Sequence, residues 1–392
     1  MMPMLSHSTV SDRHKLIGNA LIPPVRRLLG PGPSNAHPAV LEVVGRAPIG
    51  HMDPVYLRAM TELQDLLRYT WQTDNRLTLT VSGTGTAAME ATLANTIEPG
   101  DKVLVAVKGY FSERLVEMAK RYGAHVVSIN CPWGEAFSLE TIEQALNTHR
   151  PDIFAIVHAE TSTGVGQPME GIGDLCHKYN CLSILDTVTS LGCIPVFLDD
   201  WGIDISYSCS QKGLSCLPGI APVTFNDRAV AKIAQRKTPV ANWYLDVALL
   251  ERYWTGDHDY HHTAPVNMNL GLHEGLRLLA AEGLEKSWER HFQNAKRLWS
   301  GLEQLGLRLL VPQELRLTTI TTVCIPEGVH GKIFTKHLLN TYGVQVGGGL
   351  GVLDGSVWRI GLMGYNSTVE NVDLLLNLFE SELPKFRGSA LS

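Results

Sequence analysis

The chain has 392 residues, of which 44% are hydrophobic and 18% are charged, a composition typical of a globular protein of about two domains. A formal net charge of -6 gives no electrostatic basis for binding nucleic acid or an anionic membrane. No apolar run approaches the ~20 residues that a membrane span needs. The seven cysteines are scattered, without zinc-finger spacing, which favours reduced thiols in a cytoplasmic protein.

The N-terminal segment, residues 1–30, is predicted to be an arm of extended and turn segments, because it contains paired prolines and leads into the run LLGPGPSN. It lacks the continuous apolar core of a secretory signal, which leaves a weak transit peptide as the alternative.

Residues 31–280 are predicted to form a large domain. Short apolar runs alternate there with amphipathic runs, and the apolar ones are RLTLTVSG, KVLVAV, AHVVSI, DIFAIVHAE, LSILDTV, IDISYSCS and APVTF. Strands that are apolar throughout and separated by helices predict a mainly parallel sheet between helices. The ligand of such a sheet is expected beyond the carboxyl ends of its strands.

A change of pattern marks the C-terminal part of the chain. A long helical stretch, with a break expected near Gly283, leads into shorter strands in LRLLVP, LTTITTVCIP, VQVGGG and VWRIGLMG, with two further helices between and after them. We therefore predict a smaller α+β domain over residues 281–392, and the α/β class for the whole chain.

Polar and charged residues follow four of the predicted strands. In VSGTGT, the residues Ser82, Gly83, Thr84, Gly85 and Thr86 stand between a strand and a helix. Glycines there let the backbone approach an anion, and the helix N-terminus offers free N–H groups. The run has neither the Walker nor the dinucleotide spacing, so we predict a site for a single phosphate. An ordinary turn with a threonine cap is the alternative.

Asp186 and Lys212 follow two further strands. Asp186 ends LSILD, and a carboxylate buried there needs a cation or hydrogen bonds, unless it is only a helix cap. Lys212 ends IDISYSCSQK among small and apolar residues. Desolvation would lower its pKa and make it a nucleophilic amine, whereas a lysine that reaches the surface is the commoner case.

Phe111 follows KVLVAV and can stack on a planar ligand, although a lone aromatic is more often a core residue. Taken together, a phosphate loop, a buried aspartate, an aromatic and a desolvated lysine describe a pocket for pyridoxal 5'-phosphate. In it, Lys212 holds the aldehyde and Asp186 keeps the ring nitrogen protonated.

The order of the motifs GPGPSN, VSGTGT, HAETSTG, LDTVTSLG, SQKGL, YHHT and WRIGL resembles the class V, fold-type I pyridoxal-phosphate aminotransferases. The resemblance is strongest to alanine–glyoxylate and serine–pyruvate aminotransferases. It covers nearly the whole chain and implies a large domain with a seven-stranded, mainly parallel sheet. It also implies a homodimer with shared active sites.

The resemblance assigns roles to individual residues. Lys212 matches the Schiff-base lysine and general base, and Asp186 matches the partner of the ring nitrogen. Phe111 stands where the family usually has tryptophan, and Thr86 where histidine is common. The other positions implied to bind the cofactor are Val188 on the second face of the ring, Thr161 near its hydroxyl, and Gln211 at the phosphate.

Further matching positions concern the substrate and the second subunit. Arg359 matches the arginine that binds the substrate carboxylate, although by itself it can also be a surface strand residue. Gly32 is implied to bring backbone close to the substrate. Tyr260 and Thr263 match residues that reach the phosphate of the other subunit, where Gly50 and His51 are also placed.

The implied reaction is ping-pong transamination of alanine or serine with glyoxylate or pyruvate. Other class V activities, such as 3-hydroxykynurenine or 2-aminoethylphosphonate transamination, share much of the pattern. A cysteine desulfurase-type lyase fits less well, because Gln211 stands where those enzymes carry histidine and Cys324 is predicted in a strand. A cofactor-binding regulator is weaker still, since no DNA-binding segment is visible.

Overall fold

A computed structural model describes residues 11–256 and 258–387 of the chain. Residues 1–10 of the predicted arm and residues 388–392 of the predicted small domain lie outside the described residues. Within the described ranges, no helix is both long and apolar enough to cross a membrane. The seven cysteines are all free thiols.

The strands follow the apolar runs of the sequence. They are β1 Arg27–Leu28, β2 Leu77–Gly83, β3 Lys102–Val107, β4 His125–Asn130, β5 Ile153–Val157, β6 Ala159–Glu160, β7 Val165–Gly166, β8 Leu182–Asp186, β9 Ile205–Tyr207, β10 Gly219–Phe225, β11 Ile320–Cys324, β12 Val344–Gln345, β13 Gly347–Gly348 and β14 Val357–Gly361. Every residue of β5, β8 and β9 is buried, as expected for strands covered on both faces.

The helices occupy the amphipathic runs between them. They are α1 Pro38–Val44, α2 Pro54–Trp71, α3 Gly85–Thr96, α4 Tyr110–Arg121, α5 Leu139–His149, α6 Ile172–Lys178, α7 Asp227–Ala234, α8 Val247–Trp254, α9 Val266–Glu282, α10 Leu284–Gln304, α11 Gly331–Tyr342 and α12 Val369–Glu382. Side-chain caps fix several starts: the Asp53 carboxylate accepts from the N–H of Val55 before α2, and the Ser138 hydroxyl accepts from Thr141 before α5.

The central sheet has seven strands in the order β2-β10-β9-β8-β5-β3-β4. The pairs among β9, β8, β5, β3 and β4 are parallel, whereas β10 is antiparallel to both β2 and β9. The predicted α/β class and the mainly parallel seven-stranded sheet are therefore confirmed. The antiparallel strand arises because β9 returns directly into β10 without a crossover helix.

This topology sets the position of the functional side chains. Because β10 runs against both of its neighbours, β2 points in the same direction as β9, β8, β5 and β3. The carboxyl ends of these strands therefore lie at one edge of the sheet, where the loops after them meet.

The long helical stretch is broken at Gly283, as predicted. α9 ends at Glu282 and α10 begins at Leu284, while Gly283 itself has φ 89°, a left-handed conformation that favours glycine. α9 packs on α1 and α2, whereas α10 packs on α12. The two helices thus connect the two parts of the molecule.

The C-terminal part has its own small sheet and core. β11, β14 and β13 form an antiparallel sheet, and β12 pairs with β1 from the N-terminal arm. The strand predicted in LRLLVP is reduced to an isolated bridge between Leu309 and Val323, because the chain turns away at Pro312 into a short 3-10 helix. The second hydrophobic core contains Leu29, Trp299, Val323, Phe334, Trp358 and Phe379.

Candidate active site

A pocket opens at the carboxyl edge of the central sheet. Its lining comes from the turn before α3, the first turns of α3 and α4, the ends of β5 and β8, and the loop after β9. The residues that line it are Thr84, Gly85, Thr86, Met89, Phe111, Arg114, Val157, Ala159, Thr161, Asp186, Val188, Thr189, Gln211 and Lys212. The fold thus gathers most of the positions singled out from the sequence.

One end of the pocket is built by the turn between β2 and α3. Gly83 has φ 132°, and a Cβ there would lie 2.6 Å from the Cβ of Ala87, so only glycine fits. Thr84 precedes the helix in an extended conformation and its side chain makes no capping bond. The first N–H groups of α3, at Gly85 and Thr86, have no intrahelical acceptor and face the turn. This end is suited to an anion.

Gln211 completes the same end. Its Oε1 atom is buried, and within the described residues it has no hydrogen-bond partner. A buried amide is normally satisfied, and rotation of the amide exchanges Oε1 for the N–H₂ donor. An unpartnered amide in a pocket therefore indicates a place where a polar ligand group binds.

Asp186 ends β8 and is buried at the pocket floor. Its Oδ1 accepts from the backbone N–H of Val188 at 2.8 Å, and its Oδ2 accepts from the hydroxyl of Tyr207 at 2.7 Å. Burial raises the pKa of Asp186 to about 6, and the Tyr207 hydrogen bond opposes that rise. A carboxylate held in this way can pair with a protonated ring nitrogen.

Lys212 lies in the loop after β9 with its side chain enclosed. Its Nζ donates to the carbonyl of Pro31. Burial lowers the pKa of the Lys212 amine, and the positive charge of Arg359 lowers it further. Gly32, with φ 120°, packs directly on this side chain, and a Cβ there would overlap the lysine. The GPGPSN run therefore packs against the Lys212 side chain and forms one side of its enclosure.

Phe111, in the first turn of α4, is fixed from two sides. The Arg114 guanidinium lies over its ring, 5.0 Å from the centroid, and donates to the Thr86 hydroxyl at 3.0 Å. The Glu160 carboxylate accepts from the N–H groups of Phe111 and Ser112 at 3.4 and 3.2 Å. The aromatic ring is thus held against the anion-binding turn.

Arg359 extends from β14 in the other part of the molecule and contacts Thr161, one of the residues that line the pocket. Its Nη1 donates to the carbonyl of Thr161 at 3.1 Å, and its Nε donates to Gly348 at 2.6 Å. The side chain is 5% exposed, and burial lowers the pKa of the guanidinium to about 10. Among the described residues, Nη2 makes no hydrogen bond, so this nitrogen can bind a further acceptor.

The family model of the class V aminotransferases (Aminotransferase class-V) matches residues 46–375. The chain belongs to the class V aminotransferases. It is 42% identical over 384 residues to the alanine–glyoxylate aminotransferase of Callithrix jacchus, with 97% of this chain and 93% of the relative covered.

Solved structures agree with the family. The crystal structure of an alanine–glyoxylate aminotransferase from Nostoc sp. has a TM-score of 0.95 at 57% identity, covering 96% of this chain and 100% of that chain. The ureidoglycine–glyoxylate aminotransferase of Bacillus subtilis has a TM-score of 0.93 at 38% identity, covering 95% and 96%. This class V aminotransferase therefore has the fold-type I architecture that the sequence predicted.

The family implies pyridoxal phosphate as the cofactor, and the residues present fit it. The unpartnered Gln211 amide and the free N–H groups of α3 suit a phosphate at one end of the pocket. The buried carboxylate of Asp186 suits a protonated nitrogen, and the Lys212 amine suits an aldehyde. Gly85 leaves room beside Val188, since a Cβ there would lie 3.0 Å from Cγ2 of Val188.

Four predicted cofactor residues do not line this pocket: Ser82 and Gly83, which come just before Thr84, and Tyr260 and Thr263. Tyr260 is 64% exposed and Thr263 is exposed. The Tyr260 ring lies 5.4 Å from that of His51, and Gly50 is exposed next to it. The aminotransferase therefore exposes Tyr260 and Thr263, while His262, which lies between them in sequence, is 3.3 Å from the Ser82 hydroxyl.

Sequence reasoning missed Tyr207, Glu160 and Arg114. Glu160 stands inside the quoted motif HAETSTG and Arg114 lies three residues after Phe111, but their partners Ser112 and Thr86 lie 48 and 28 residues away in sequence. Tyr207 could have been inferred from the predicted strands. β9 is the strand after β8 and runs parallel to it, so the residue that ends β9 is expected beside the residue that ends β8. In the structure, Tyr207 pairs with Asp186 in register.

Proposed function

We propose that this aminotransferase transfers the amino group of a small amino acid, alanine or serine, to glyoxylate or pyruvate. The observation that supports this most directly is the buried Arg359 guanidinium, held near the Lys212 amine by Thr161 and Gly348. A guanidinium binds a carboxylate through parallel hydrogen bonds, and amino acids and oxo acids share that group. The relatives named above act, by their names, on alanine or ureidoglycine with glyoxylate.

Pyridoxal phosphate, when bound, supplies an aldehyde that condenses with amines and a ring that withdraws electrons from the substrate Cα. The turn from Ser82 to Thr86, with Gln211, would hold the phosphate, and Asp186 would hold the protonated ring nitrogen. Phe111 and Val188 would lie on the two faces of the ring, and Thr161 near its hydroxyl.

The Lys212 amine is the proton carrier of this proposal. Burial lowers the pKa of this amine and so favours the neutral form that can accept a proton. The Nζ atom then takes the proton from Cα of the donor in the first half-reaction and returns a proton to Cα of the new amino acid in the second. The Pro31 carbonyl, which accepts from Nζ, orients the amine between these steps.

The size of the pocket supports a small substrate. Gly32 packs on Lys212, and Gly348 contacts Arg359 from β13. Backbone rather than side chain thus borders the space between amine and guanidinium, and we propose that Gly32 contacts the substrate there.

A panel of donors and acceptors tests this function. The purified holoenzyme is mixed with L-alanine, L-serine, glycine, (S)-ureidoglycine, L-3-hydroxykynurenine or 2-aminoethylphosphonate, each against glyoxylate and pyruvate. We expect the highest kcat/KM with alanine or serine. A 2-aminoethylphosphonate preference would contradict the carboxylate role of Arg359, and sulfide released from L-cysteine would indicate a lyase instead.

(S)-Ureidoglycine is the second candidate donor. The Bacillus subtilis relative named for it is 37% identical over 381 residues, only a little less than the alanine–glyoxylate relatives. If kcat/KM is higher with ureidoglycine than with alanine, ureidoglycine becomes the proposed donor, and glyoxylate remains the proposed acceptor.

We also propose that the enzyme is a homodimer with shared active sites. Tyr260 and Thr263 are exposed on an outer face, where they can reach the phosphate end of a second copy. The arm supports an interface too, because Leu16, Leu21 and Val25 are 87%, 93% and 96% exposed, and so many exposed large apolar residues in one short segment favour an interaction site.

Light scattering coupled to gel filtration tests the dimer, with about twice the chain mass of 43.1 kDa expected. A measured mass of a single chain, in a sample that still turns over substrate, would contradict active sites shared between two subunits.

We make two further proposals, one on the location of the protein and one on its division into domains. We propose a cytoplasmic location, supported by the seven free thiols. We also propose the division into an arm over residues 1–30, a large domain over 31–280 and a small domain over 281–392. It is supported by the separate cores, although Leu29 of the arm belongs to the second of them. Limited proteolysis that cuts first near residues 281–283 would agree with the boundary.

A further inference from the structure

Tyr207 contacts Asp186 from the neighbouring strand. It ends β9, directly in register with Asp186 at the end of β8, and its side chain is 0% exposed. Its hydroxyl donates to Oδ2 of Asp186 at 2.7 Å. Tyr207 does not line the pocket, so it acts on the pocket only through the carboxylate.

The contact fixes the orientation of that carboxylate. The N–H of Val188 occupies one lone pair of Oδ1, and the Tyr207 hydroxyl occupies one lone pair of Oδ2. Each oxygen keeps a second lone pair, and the side chain cannot rotate without breaking both bonds. An ionised carboxylate accepts such donors more strongly than a neutral one.

Titratable groups surround this pair from several elements. Glu160, Lys212, Lys108 and Cys209 act on Asp186, and Arg114 acts on Tyr207. Burial and the Asp186 charge raise the pKa of the Tyr207 hydroxyl far above its usual value, so it stays protonated. It therefore remains a donor at every pH at which the enzyme works.

We propose that Tyr207 is a positioning residue of the transamination site, which keeps Asp186 ionised and aimed at the ring nitrogen of the cofactor. The inference rests on the proposed function for its catalytic consequence. A proton shared between Asp186 and a ring nitrogen lies on the nitrogen when the carboxylate is the weaker base. Without the hydroxyl of Tyr207, the proton shifts towards the carboxyl and the ring withdraws electrons less strongly.

The test is Tyr207→Phe in the holoenzyme reconstituted with cofactor labelled with ¹⁵N in the ring. The ¹⁵N chemical shift separates a protonated from an unprotonated ring nitrogen without any substrate. We expect the wild type at the protonated end and Tyr207→Phe moved towards the unprotonated end. An unchanged shift would overturn the proposal, even if activity fell.

Kinetics give the second readout. Hydrogen bonds to charged groups correspond to about a tenfold to hundredfold effect, and we expect a loss of that size in kcat with little change in KM. In an Asp186→Asn background, Tyr207→Phe should lower kcat by less than twofold, because the carboxylate it acts through is gone. Independent, multiplicative losses would show a merely structural role and overturn the proposal.

Tyr122→Phe is the matched control. The Tyr122 hydroxyl donates to Glu90 at 2.9 Å, so this variant also loses a tyrosine–carboxylate hydrogen bond, away from the pocket. Its ¹⁵N shift and kcat should equal those of the wild type.

If Tyr207→Phe does not fold, p-aminophenylalanine at position 207 keeps the ring and a weaker donor. It should move the ¹⁵N shift partway, and an unmoved shift would count against the proposal. The ¹⁵N result is independent of donor and acceptor. A wild type that shows the expected shift but transfers no amino group in the panel would refute the proposed function alone.

Discussion

The enclosed pocket and the exposed face around Tyr260 differ in what one chain supplies. Lys212, Asp186 and Arg359 are each less than a tenth exposed and have partners within the chain. Tyr260 and Thr263, by contrast, are exposed, and the Tyr260 ring makes a tilted contact with that of His51. One chain thus brings Lys212, Asp186 and Arg359 together, and we propose that Tyr260 and Thr263 act in the site of a second copy. The variants below test the residues of the enclosed pocket and Tyr260 of the exposed face separately.

Lys212→Ala should have the largest effect, because it removes the amine that we propose moves the Cα proton. We expect kcat to fall by about 10⁴-fold, with partial recovery when a small amine is added. Lys178→Ala, which removes an exposed lysine paired with Glu143, is the control. Normal turnover by Lys212→Ala without added amine would rule out its catalytic role.

Asp186→Asn should stabilise the cofactor-free protein at neutral pH. The pKa of Asp186 is about 6 in the folded chain and 3.8 in its ordinary state, so ionisation opposes folding above pH ~4, and fully so above pH 6. At pH 7, the free energy of unfolding of the variant should exceed that of the wild type by about 3 kcal/mol, minus the contribution of the hydrogen bonds that Asp186 makes. Denaturant titrations should show that the gain disappears towards pH 4. A gain that is independent of pH would refute this account.

Arg359→Gln should lower kcat/KM for carboxylate substrates by roughly 100-fold, because it removes the charge-assisted hydrogen bonds to the substrate. The ¹⁵N shift of the bound cofactor should not change. Arg297→Gln, which removes an exposed pair with Asp373, provides the comparison in steady-state kinetics. Equal losses in the two variants would show that Arg359 does not contact the substrate.

Tyr260→Phe should have the smallest effect, about a tenfold weaker affinity of the cofactor for the apoprotein, measured by fluorescence titration. The sharper experiment mixes Tyr260→Phe chains with Lys212→Ala chains. If Tyr260 acts across subunits, the mixed dimer pairs the intact Lys212 with an intact Tyr260 and recovers wild-type affinity in half of its sites. No recovery would place Tyr260 within its own chain.

The sequence predicted the fold well because its signals are local. Apolar runs and helix starts such as Ser138 depend on neighbouring residues, and the break at Gly283 needs only a left-handed glycine. The antiparallel β10 and the lost strand at Leu309 depend on pairing between distant segments, which periodicity does not encode.

The site divides in the same way. Phe111, Asp186 and Lys212 stand at strand ends and were predicted as pocket residues, and the structure places all three in the lining. Tyr207 was missed, because it acts on the pocket only through Asp186, 21 residues earlier in the sequence. Positions fixed by a single strand end are thus visible in sequence, whereas positions fixed by pairing become visible only once the strand order is known.

A single half-reaction tests the central claim most directly. Holoenzyme is mixed with L-alanine and no acceptor, pyruvate is measured, and glyoxylate is then added. We predict one equivalent of pyruvate per bound cofactor, a matching loss of the cofactor's visible absorbance, and its return as glycine forms. Pyruvate formed in excess of the cofactor without an acceptor, or an absorbance that alanine leaves unchanged, would contradict transamination through Lys212.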